Sequence, residues 1–163
     1  MVKSTRPKGK RAMAADVCGC YGRLEMTRHL SCSPDETVAA GRDLARRLDP
    51  GATVALEGEL GAGKTHFVRG LVAGWGGAED ATSPTFALVH EYPTPRGPVF
   101  HLDLYRAASA DEVWSAAHDE LEAPHGLVVV EWADRFPGLL PSACLKVRLT
   151  HAGDGRREIL IDA

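Results

Sequence analysis

Residues 58–65 read Gly-Glu-Leu-Gly-Ala-Gly-Lys-Thr, which matches the G-x-x-x-x-G-K-[ST] pattern of a phosphate-binding loop. Glycines let such a loop curl until its backbone N–H groups converge on a phosphate chain, and the following helix adds the positive end of its dipole. In this pattern the Lys64 ammonium reaches the β- and γ-phosphates, and the Thr65 hydroxyl ligates Mg²⁺. The loop therefore predicts that the chain binds ATP with magnesium and hydrolyses it.

The residues on either side of the loop provide the expected context. Residues 53–57 form an apolar run typical of a short buried strand, and residues 64–75 carry apolar side chains at helical spacing. A strand before the loop and a helix after it favour nucleotide binding over a glycine-rich turn without a ligand. The candidate nucleotide contacts in the loop are Gly58, Leu60, Gly61, Ala62, Gly63, Lys64, Thr65 and His66.

The remaining pattern predicts helices and strands in alternation. Ser-x-x-Glu capping boxes at residues 33–36 and 109–112 each open a helix, the first running to about residue 48 and the second to about residue 120. Two β-hairpins are predicted, with strands at 86–92 and 98–105 and at 144–150 and 156–161. Hairpins inserted into a helix–strand alternation predict an α/β fold, namely a three-layer P-loop NTPase fold with a mixed sheet.

Two acidic residues at the ends of apolar strands are candidates for the second half of the site. One apolar strand ends in Asp103, and a second, fully apolar one ends in Glu131. A P-loop enzyme needs an acid to position magnesium and water. We therefore assign Glu131 to the metal together with Thr65, and Asp103 to the positioning of water or metal, with Lys64 as a further catalytic group. The alternative is that each acid only ends its strand at the surface.

Three further residues lie near this predicted site. Thr85 belongs to a Thr-Ser-Pro-Thr-Phe segment, where phosphate-sensing P-loop proteins carry a switch, although Ser-Pro-Thr by itself is only a turn. By strand alternation His101 shares a face with Asp103, and it is either a packed strand histidine or a site residue. Trp132 follows Glu131 and is either core or a stacking surface, core being the safer interpretation.

The charge of the chain is unevenly distributed. The length of 163 residues favours one domain. The net charge of −3 divides into +5 for residues 1–30 and −8 for residues 31–163. We predict an ATPase domain at 31–163, and at 1–30 a basic, disordered extension or the product of an over-extended start with Met26 as an internal alternative. An acidic domain is a poor candidate for gripping nucleic acid through its own surface field.

Hydropathy and cysteine usage indicate the compartment. No apolar run approaches the roughly 18 residues that a membrane helix needs, so no membrane contact is expected. The four cysteines are Cys18, Cys20, Cys32 and Cys144. They lack the spacing of a metal site and are read as reduced thiols. We therefore expect a cytoplasmic protein.

Four motifs occur in a fixed order along the chain. They are the loop at 58–65, Ser-Pro-Thr-Phe at 83–86, His-Leu-Asp-Leu-Tyr-Arg at 101–106 and Val-Glu-Trp at 130–132. Together they resemble the TsaE (YjeE) family, over about residues 33–161. The resemblance implies a small P-loop ATPase, weakly active by itself, that supports threonylcarbamoyladenosine modification of adenosine 37 in tRNAs reading ANN codons. It also implies the partners TsaB and TsaD, with TsaD as the expected contact and tRNA reached only through the complex.

The resemblance also implies roles for individual residues of the catalytic centre. By motif, Thr65 and Glu131 resemble the family's Mg²⁺ ligands, and Asp103 resembles an acid that is essential for hydrolysis. The segment that contains Thr85 resembles a switch-like element. These implied roles agree with the assignments made from the residues alone.

Other implied contacts lie at the two ends of the domain. Residues 33–37 resemble the part that touches the adenine, and Gly155 and Arg156 resemble a further nucleotide contact in the last turn. His66 departs from the family pattern because many members have a second threonine there, so the contact made by that threonine is in doubt.

Two other classes of P-loop protein compete with this interpretation. A small-molecule kinase would use the same loop, but about 130 globular residues leave little room for an acceptor domain, and no Arg-rich lid segment is evident. A GTP-dependent switch would carry an Asn-Lys-x-Asp segment that reads guanine, and the sequence contains none. The kinase is therefore the alternative to an ATPase of a tRNA-modifying assembly.

Overall fold

The computed structural model describes residues 26–78, 87–122 and 125–162. Within these ranges seven strands form one sheet, against which three α-helices pack. The strands are β1 (Thr27–Ser31), β2 (Thr53–Glu57), β3 (Val89–Tyr92), β4 (Val99–Asp103), β5 (Leu127–Glu131), β6 (Leu145–His151) and β7 (Arg157–Asp162). The helices are α1 (Pro34–Ala45), α2 (Lys64–Trp75) and α3 (Ala110–Glu122). None of the helices in the described ranges is both long and apolar enough to cross a membrane.

The sheet is mixed, and its parallel part surrounds β2. The strands lie in the order β1-β7-β6-β2-β5-β4-β3. Strand β2 is parallel to both β5 and β6, and β4 is parallel to β5. The antiparallel pairs β3–β4 and β6–β7 are the two predicted hairpins, and β1 pairs with β7 at one edge. The carboxyl ends of β2, β4 and β5 therefore lie side by side, where open α/β sheets bind their ligands.

The helices cover both faces of this sheet. Val54 and Leu56 of β2 belong to the core beneath α1 and α2, whereas Ala55 between them belongs to the core beneath α3. This division follows from the alternation of side chains along a strand. All five residues of β5 are buried, as is typical of a central parallel strand. The predicted three-layer α/β fold with a mixed sheet and inserted hairpins is confirmed.

Glycines bring α1 and α2 into backbone contact. A Cβ atom placed on Gly70 would lie 2.0 Å from the carbonyl oxygen of Val38, and one on Gly41 would lie 2.3 Å from the carbonyl oxygen of Phe67. No side chain larger than hydrogen fits at such a separation without moving a backbone. This close packing holds the start of α2, and the loop that precedes it, against the start of α1.

Capping boxes start α1 and α3 as predicted. The Ser33 hydroxyl accepts the N–H of Glu36 at 3.1 Å, and the Glu36 carboxylate accepts the N–H of Cys32 at 2.6 Å. A corresponding bond joins the Glu112 N–H to the Ser109 hydroxyl at 3.2 Å. The bonds to the Ser33 and Ser109 hydroxyls satisfy helix N–H groups that have no partner within the helix, and the bond from Cys32 fixes the chain just before α1.

The first strand begins before residue 31, the predicted start of the domain. Strand β1 begins at Thr27, inside the predicted extension, and residues 27–31 pair with β7 from Ile161 to Arg157. Backbone pairing at the sheet edge orders this segment although its own pattern is weak. Residues 1–25, the rest of the predicted extension, lie outside the described residues.

Two other predicted boundaries also differ. The strand predicted at 98–105 ends at Asp103, whose carboxylate accepts the N–H of Tyr105 at 3.0 Å and caps a short 3-10 helix, Leu104–Arg106. Helix α1 ends at Ala45 rather than near residue 48, although Leu48 beyond it is fully buried. After the strand the chain continues as a capped turn, and after the helix Leu48 still packs in the core. The apolar pattern therefore extends beyond the end of the regular element in both places.

Candidate active site

A cleft of about 640 Å³ opens at the carboxyl ends of β2, β4 and β5. It brings the predicted loop next to both predicted acids. The cleft is lined by Pro34, Thr37, Leu60, Gly61, Gly63, Lys64, Thr65, His66, Ala87, Leu88, Asp103, Tyr105, Arg106, Ala107, Glu112, Glu131, Trp132 and Arg157. Two predicted loop contacts, Gly58 and Ala62, are not among the lining residues, since Gly58 packs on β6 and Ala62 is fully buried.

The loop leaves the first turn of α2 without a side-chain cap. Gly63 is the N-cap with φ +101°, a left-handed conformation that favours glycine, and as a glycine it provides no side-chain cap hydrogen bond to this helix end. The first turn of α2 contains no acidic residue. The N–H of Phe67 donates to the Gly63 carbonyl at 3.0 Å, whereas the amides before it have no acceptor within the helix. These amides and the helix dipole favour an anion at this position.

Lys64 is held in place by the loop itself. Its Nζ donates to the carbonyl oxygens of Gly58 at 2.7 Å and Glu59 at 2.8 Å, and the residue is only 5% exposed. Nζ also lies 3.7 Å from the centre of the Trp132 ring, within the range of a cation–π contact. Burial lowers the pKa of Lys64, and the neighbouring carboxylates, Glu131 foremost, act in the opposite direction. The result is a buried ammonium next to the uncapped start of α2.

Glu131 connects the loop to the neighbouring strands. Its Oε1 accepts a hydrogen bond from the Thr65 hydroxyl at 3.2 Å and lies 3.0 Å from Nε2 of His101. Glu131 is 3% exposed and His101 is fully buried. The sequence left open whether His101 is packed or belongs to the site, and the structure places it in the core with a direct contact to a candidate metal ligand. Glu131 is buried, so it does not merely end a strand at the surface.

Asp103 lies beside Glu131 because β4 and β5 are parallel and in register. The two residues are paired across the strands, and Asp103 is partly exposed at the wall of the cleft. The backbone N–H of Tyr105 fixes one oxygen of the Asp103 carboxylate. Tyr105 itself is half exposed and lies over Trp132, with ring centres 4.9 Å apart. This arrangement holds an acid at the cleft, close enough for its charge to oppose in part the lowering of the Lys64 pKa by burial.

Trp132 is not simply a core residue. Its backbone has φ +59°, a left-handed conformation that is uncommon for a side chain other than glycine. The turn after Glu131 thereby directs the ring into the cleft, above Lys64, while part of the ring still packs on the core beneath α3. The interpretation as core therefore needs correction, because Trp132 also forms a wall of the candidate site.

The last hairpin contributes Arg157 to the cleft, which the sequence reasoning missed. Its guanidinium donates to the carbonyl oxygen of Gly61 at 3.4 Å, and a second bond joins it to Gly155. The neighbouring Arg156 instead forms an ion pair with Asp154 at 2.8 Å. Alternation along β7 places Arg157 on the face of Ile159, which is the face covered by α1 and α2. That alternation is the signal that would have found it.

The other predicted contacts are distributed as follows. His66 and Leu60 both line the cleft, and Leu60 is 74% exposed. Gly155 and Arg156 lie in the β6–β7 connection, outside the lining residues. Thr85 and the Ser-Pro-Thr segment lie outside the described residues. The functional roles assigned to all these residues stay predictions.

A glycine-rich loop between a central parallel strand and a helix, with an acid at the end of the next strand, defines a protein of the P-loop NTPase fold. Residues 31–159 match the family model described as "Threonylcarbamoyl adenosine biosynthesis protein TsaE". The chain belongs to the TsaE family. The resemblance seen in the four sequence motifs is thereby confirmed.

Several relatives match most of the chain. A protein from Treponema pallidum (strain Nichols), named tRNA threonylcarbamoyladenosine biosynthesis protein TsaE, is 38% identical over 134 residues, covering 82% of this chain and 98% of its own length. A protein of the same name from Bacillus subtilis (strain 168) is 38% identical over 140 residues, covering 86% and 87%. The crystal structure of Bacillus subtilis YdiB matches with a TM-score of 0.64 and 32% identity, covering 84% of each chain.

Proposed function

We propose that this protein is a Mg²⁺-dependent ATPase required for the threonylcarbamoyladenosine modification of adenosine 37 in tRNAs reading ANN codons. It acts in the cytoplasm with a TsaB–TsaD complex and reaches tRNA through that complex. The observation that carries the proposal is the contact between Thr65 and Glu131 beside the uncapped start of α2. It occurs in a chain of the TsaE family, whose relatives are named for this biosynthesis.

The residues at the loop fit a nucleoside triphosphate. The first amides of α2 and the Lys64 ammonium offer donors and positive charge to its phosphates. Gly63 leaves the approach open, since it carries no side chain at the point where the backbone faces the cleft. Arg157 adds a second cationic group, which lies beside the loop at Gly61. Lys64 is already oriented by two loop carbonyls, so little side-chain entropy is lost when phosphate binds.

The donor set also fits magnesium. The Thr65 hydroxyl and the Glu131 carboxylate supply oxygen atoms, which Mg²⁺ prefers to nitrogen or sulfur. Bound magnesium would neutralise phosphate charge and support the transfer of the γ-phosphoryl group to water. Thr65 and Glu131 would hold it, and Trp132 would limit the access of solvent to this side of the cleft.

Asp103 is the candidate for water positioning. One of its carboxylate oxygens is fixed by the Tyr105 N–H, and the residue lines the cleft one strand away from Glu131. A carboxylate in this position can accept a hydrogen bond from the attacking water and orient it. Lys64 would stabilise the negative charge that develops on the phosphoryl oxygens. If the TsaB–TsaD complex completes the site, the protein by itself hydrolyses ATP only weakly.

Reconstitution tests this function directly. TsaB, TsaD, tRNA, ATP, magnesium and a threonylcarbamoyl donor are combined with wild-type protein, with Lys64→Ala or with neither, and modified adenosine is counted by mass spectrometry. We expect sustained modification only with wild-type protein. Arg46→Ala, which alters an exposed ion pair on α1, serves as the matched control and is expected to behave like wild type. Equal modification with Lys64→Ala would contradict the proposal.

A further inference from the structure

His101 is a buried titratable residue to which the proposed function gives no task. It lies on β4, fully buried, with Nε2 3.0 Å from Oε1 of Glu131. Its other ring nitrogen, Nδ1, is also buried and has no hydrogen-bond partner among the described residues. The ring stacks on Tyr92 with centres 6.3 Å apart. One ring nitrogen of this buried imidazole is hydrogen-bonded and the other is not, an arrangement that needs a physical explanation.

The two nitrogen environments select one tautomer. A proton on Nδ1 would leave a buried N–H without an acceptor, and the lone pair of Nε2 would face the carboxylate of Glu131. A proton on Nε2 is donated to that carboxylate, and the lone pair of Nδ1 points into the core. The second arrangement satisfies the donor and leaves only a weak acceptor unused. His101 is therefore a hydrogen-bond donor to Glu131.

Both contacts of Glu131 fall on the same oxygen. The Thr65 hydroxyl and the His101 imidazole converge on Oε1, the first from the loop and the second from the core. Thr65 belongs to the loop that must adapt to phosphate, whereas His101 is fixed by the β4–β5 pairing, in which it lies opposite Val129. His101 is thus the rigid one of the two partners, and it holds the carboxylate from the side that no ligand reaches.

We propose that His101 is a positioning residue: its Nε2–H orients the Glu131 carboxylate for magnesium. Outer hydrogen-bond partners of metal ligands fix ligand orientation, and their loss typically weakens metal binding about 10- to 100-fold. The inference rests on the proposed magnesium–nucleotide site. It adds that this site is organised from beneath by an imidazole that touches neither metal nor nucleotide.

The first test reads the tautomer in protein without nucleotide or metal. The chain contains seven histidines, and ¹⁵N-labelling of histidine distinguishes protonated from unprotonated ring nitrogens by NMR. The signals that disappear in His101→Gln are those of His101. We expect protonated Nε2 and unprotonated Nδ1. A protonated Nδ1 with an unprotonated Nε2 would overturn the proposal whatever the outcome of activity measurements.

The second test measures magnesium linkage, that is, how strongly magnesium promotes the binding of nucleotide. The dissociation constant of a non-hydrolysable ATP analogue is measured by calorimetry with magnesium and with EDTA, and the ratio is compared among variants. In His101→Leu we expect the ratio to fall by about tenfold or more, with binding in EDTA unchanged. His101→Gln keeps a donor near the position of Nε2, and we expect it to restore the ratio.

Controls separate positioning from folding. His90 lies opposite His101 across β3–β4 but is exposed, so His90→Leu removes an imidazole from the same hairpin and is expected to keep the wild-type ratio. Melting temperatures measured without ligand report any general loss of stability. If wild type shows magnesium linkage and folded His101→Leu retains it, this inference fails while the proposed function stands. If wild type itself shows no linkage, both fail.

Discussion

The Thr65 hydroxyl lies 3.2 Å from Oε1 of Glu131, although 66 positions separate the two residues along the chain. Thr65 is the last residue of the phosphate-binding loop, and Glu131 ends the parallel neighbour of the strand that leads into that loop. Parallel pairing of β2 and β5 produces this contact, since it aligns the carboxyl ends of both strands. The contact joins the two halves of the candidate site.

Removal of the Glu131 carboxylate tests the metal assignment. In Glu131→Ala we expect magnesium to support turnover only at concentrations at least about tenfold higher, because one of the two proposed ligands is missing. Glu131→Gln keeps the size of the side chain and can still accept the hydrogen bond from the Thr65 hydroxyl. We expect it also to raise the magnesium concentration needed for turnover, with a smaller loss of folding stability. Turnover measured against magnesium concentration checks this. An unchanged magnesium dependence in both variants would reassign the metal to Asp103.

Asp103 is expected to matter for hydrolysis more than for binding. Asp103→Asn keeps an oxygen that can accept the Tyr105 N–H but removes the charge. We expect turnover to fall by about 100-fold or more, the range typical of a lost catalytic base, while the affinity for an ATP analogue changes little. Asp134→Asn is the matched control, since Asp134 acts on Lys64 through its charge and does not line the cleft. Equal losses in the two variants would argue against a specific role for Asp103.

The two arginines at the start of β7 give a paired test. Arg157 lines the cleft next to Gly61, whereas Arg156 pairs with Asp154. A hydrogen bond to a charged group contributes about 1.5–3 kcal/mol, so Arg157→Ala is expected to weaken nucleotide binding by about tenfold or more. Arg156→Ala should have a smaller effect. Calorimetric titration with ATP analogue measures both, and the reverse order of effects would restore Arg156 as the nucleotide contact.

Local signals allowed much of this site to be predicted. Helix α2 begins at Lys64 and ends at Trp75 as predicted, because a glycine flanks it at each end in the left-handed conformation. The strand that ends in Glu131 was equally clear, since the apolar run at 127–130 is typical of a buried central strand, and all five residues of β5 are indeed buried. The two capping boxes were predicted for the same reason, because their hydrogen bonds join residues four or fewer positions apart.

The missed features depend on contacts between distant parts of the chain. Strand β1 forms only because β7 offers its edge, more than a hundred residues later. The position of Trp132 above Lys64 depends on one left-handed residue in a turn, which side-chain pattern does not indicate. Arg157 and Arg156 are neighbours that point to opposite faces of the sheet, and packing of β7 against the rest of the sheet decides which of them faces α1 and α2.

The contact between α1 and α2 gives a prediction about stability. Gly70→Ala gains about 1 kcal/mol of helix propensity, but its Cβ would lie 2.0 Å from the Val38 carbonyl oxygen, which belongs to the backbone and cannot rotate away. Overpacking costs about 1–3 kcal/mol or more, so we expect net destabilisation. Gly138→Ala is the control, because a Cβ there meets nothing within 4 Å. Urea unfolding measures both, and a Gly70→Ala variant as stable as wild type would contradict the packing described.

The central claim is that this loop hydrolyses ATP in the service of a partner complex. Its most direct test is the rate of magnesium-dependent ATP hydrolysis by wild type and Lys64→Ala, each alone and with TsaB–TsaD and tRNA. We predict slow hydrolysis by wild type alone, a clear increase with partners and tRNA, and none of this increase with Lys64→Ala. Hydrolysis unchanged by the partners, together with phosphorylation of a small metabolite, would contradict the account and favour a kinase.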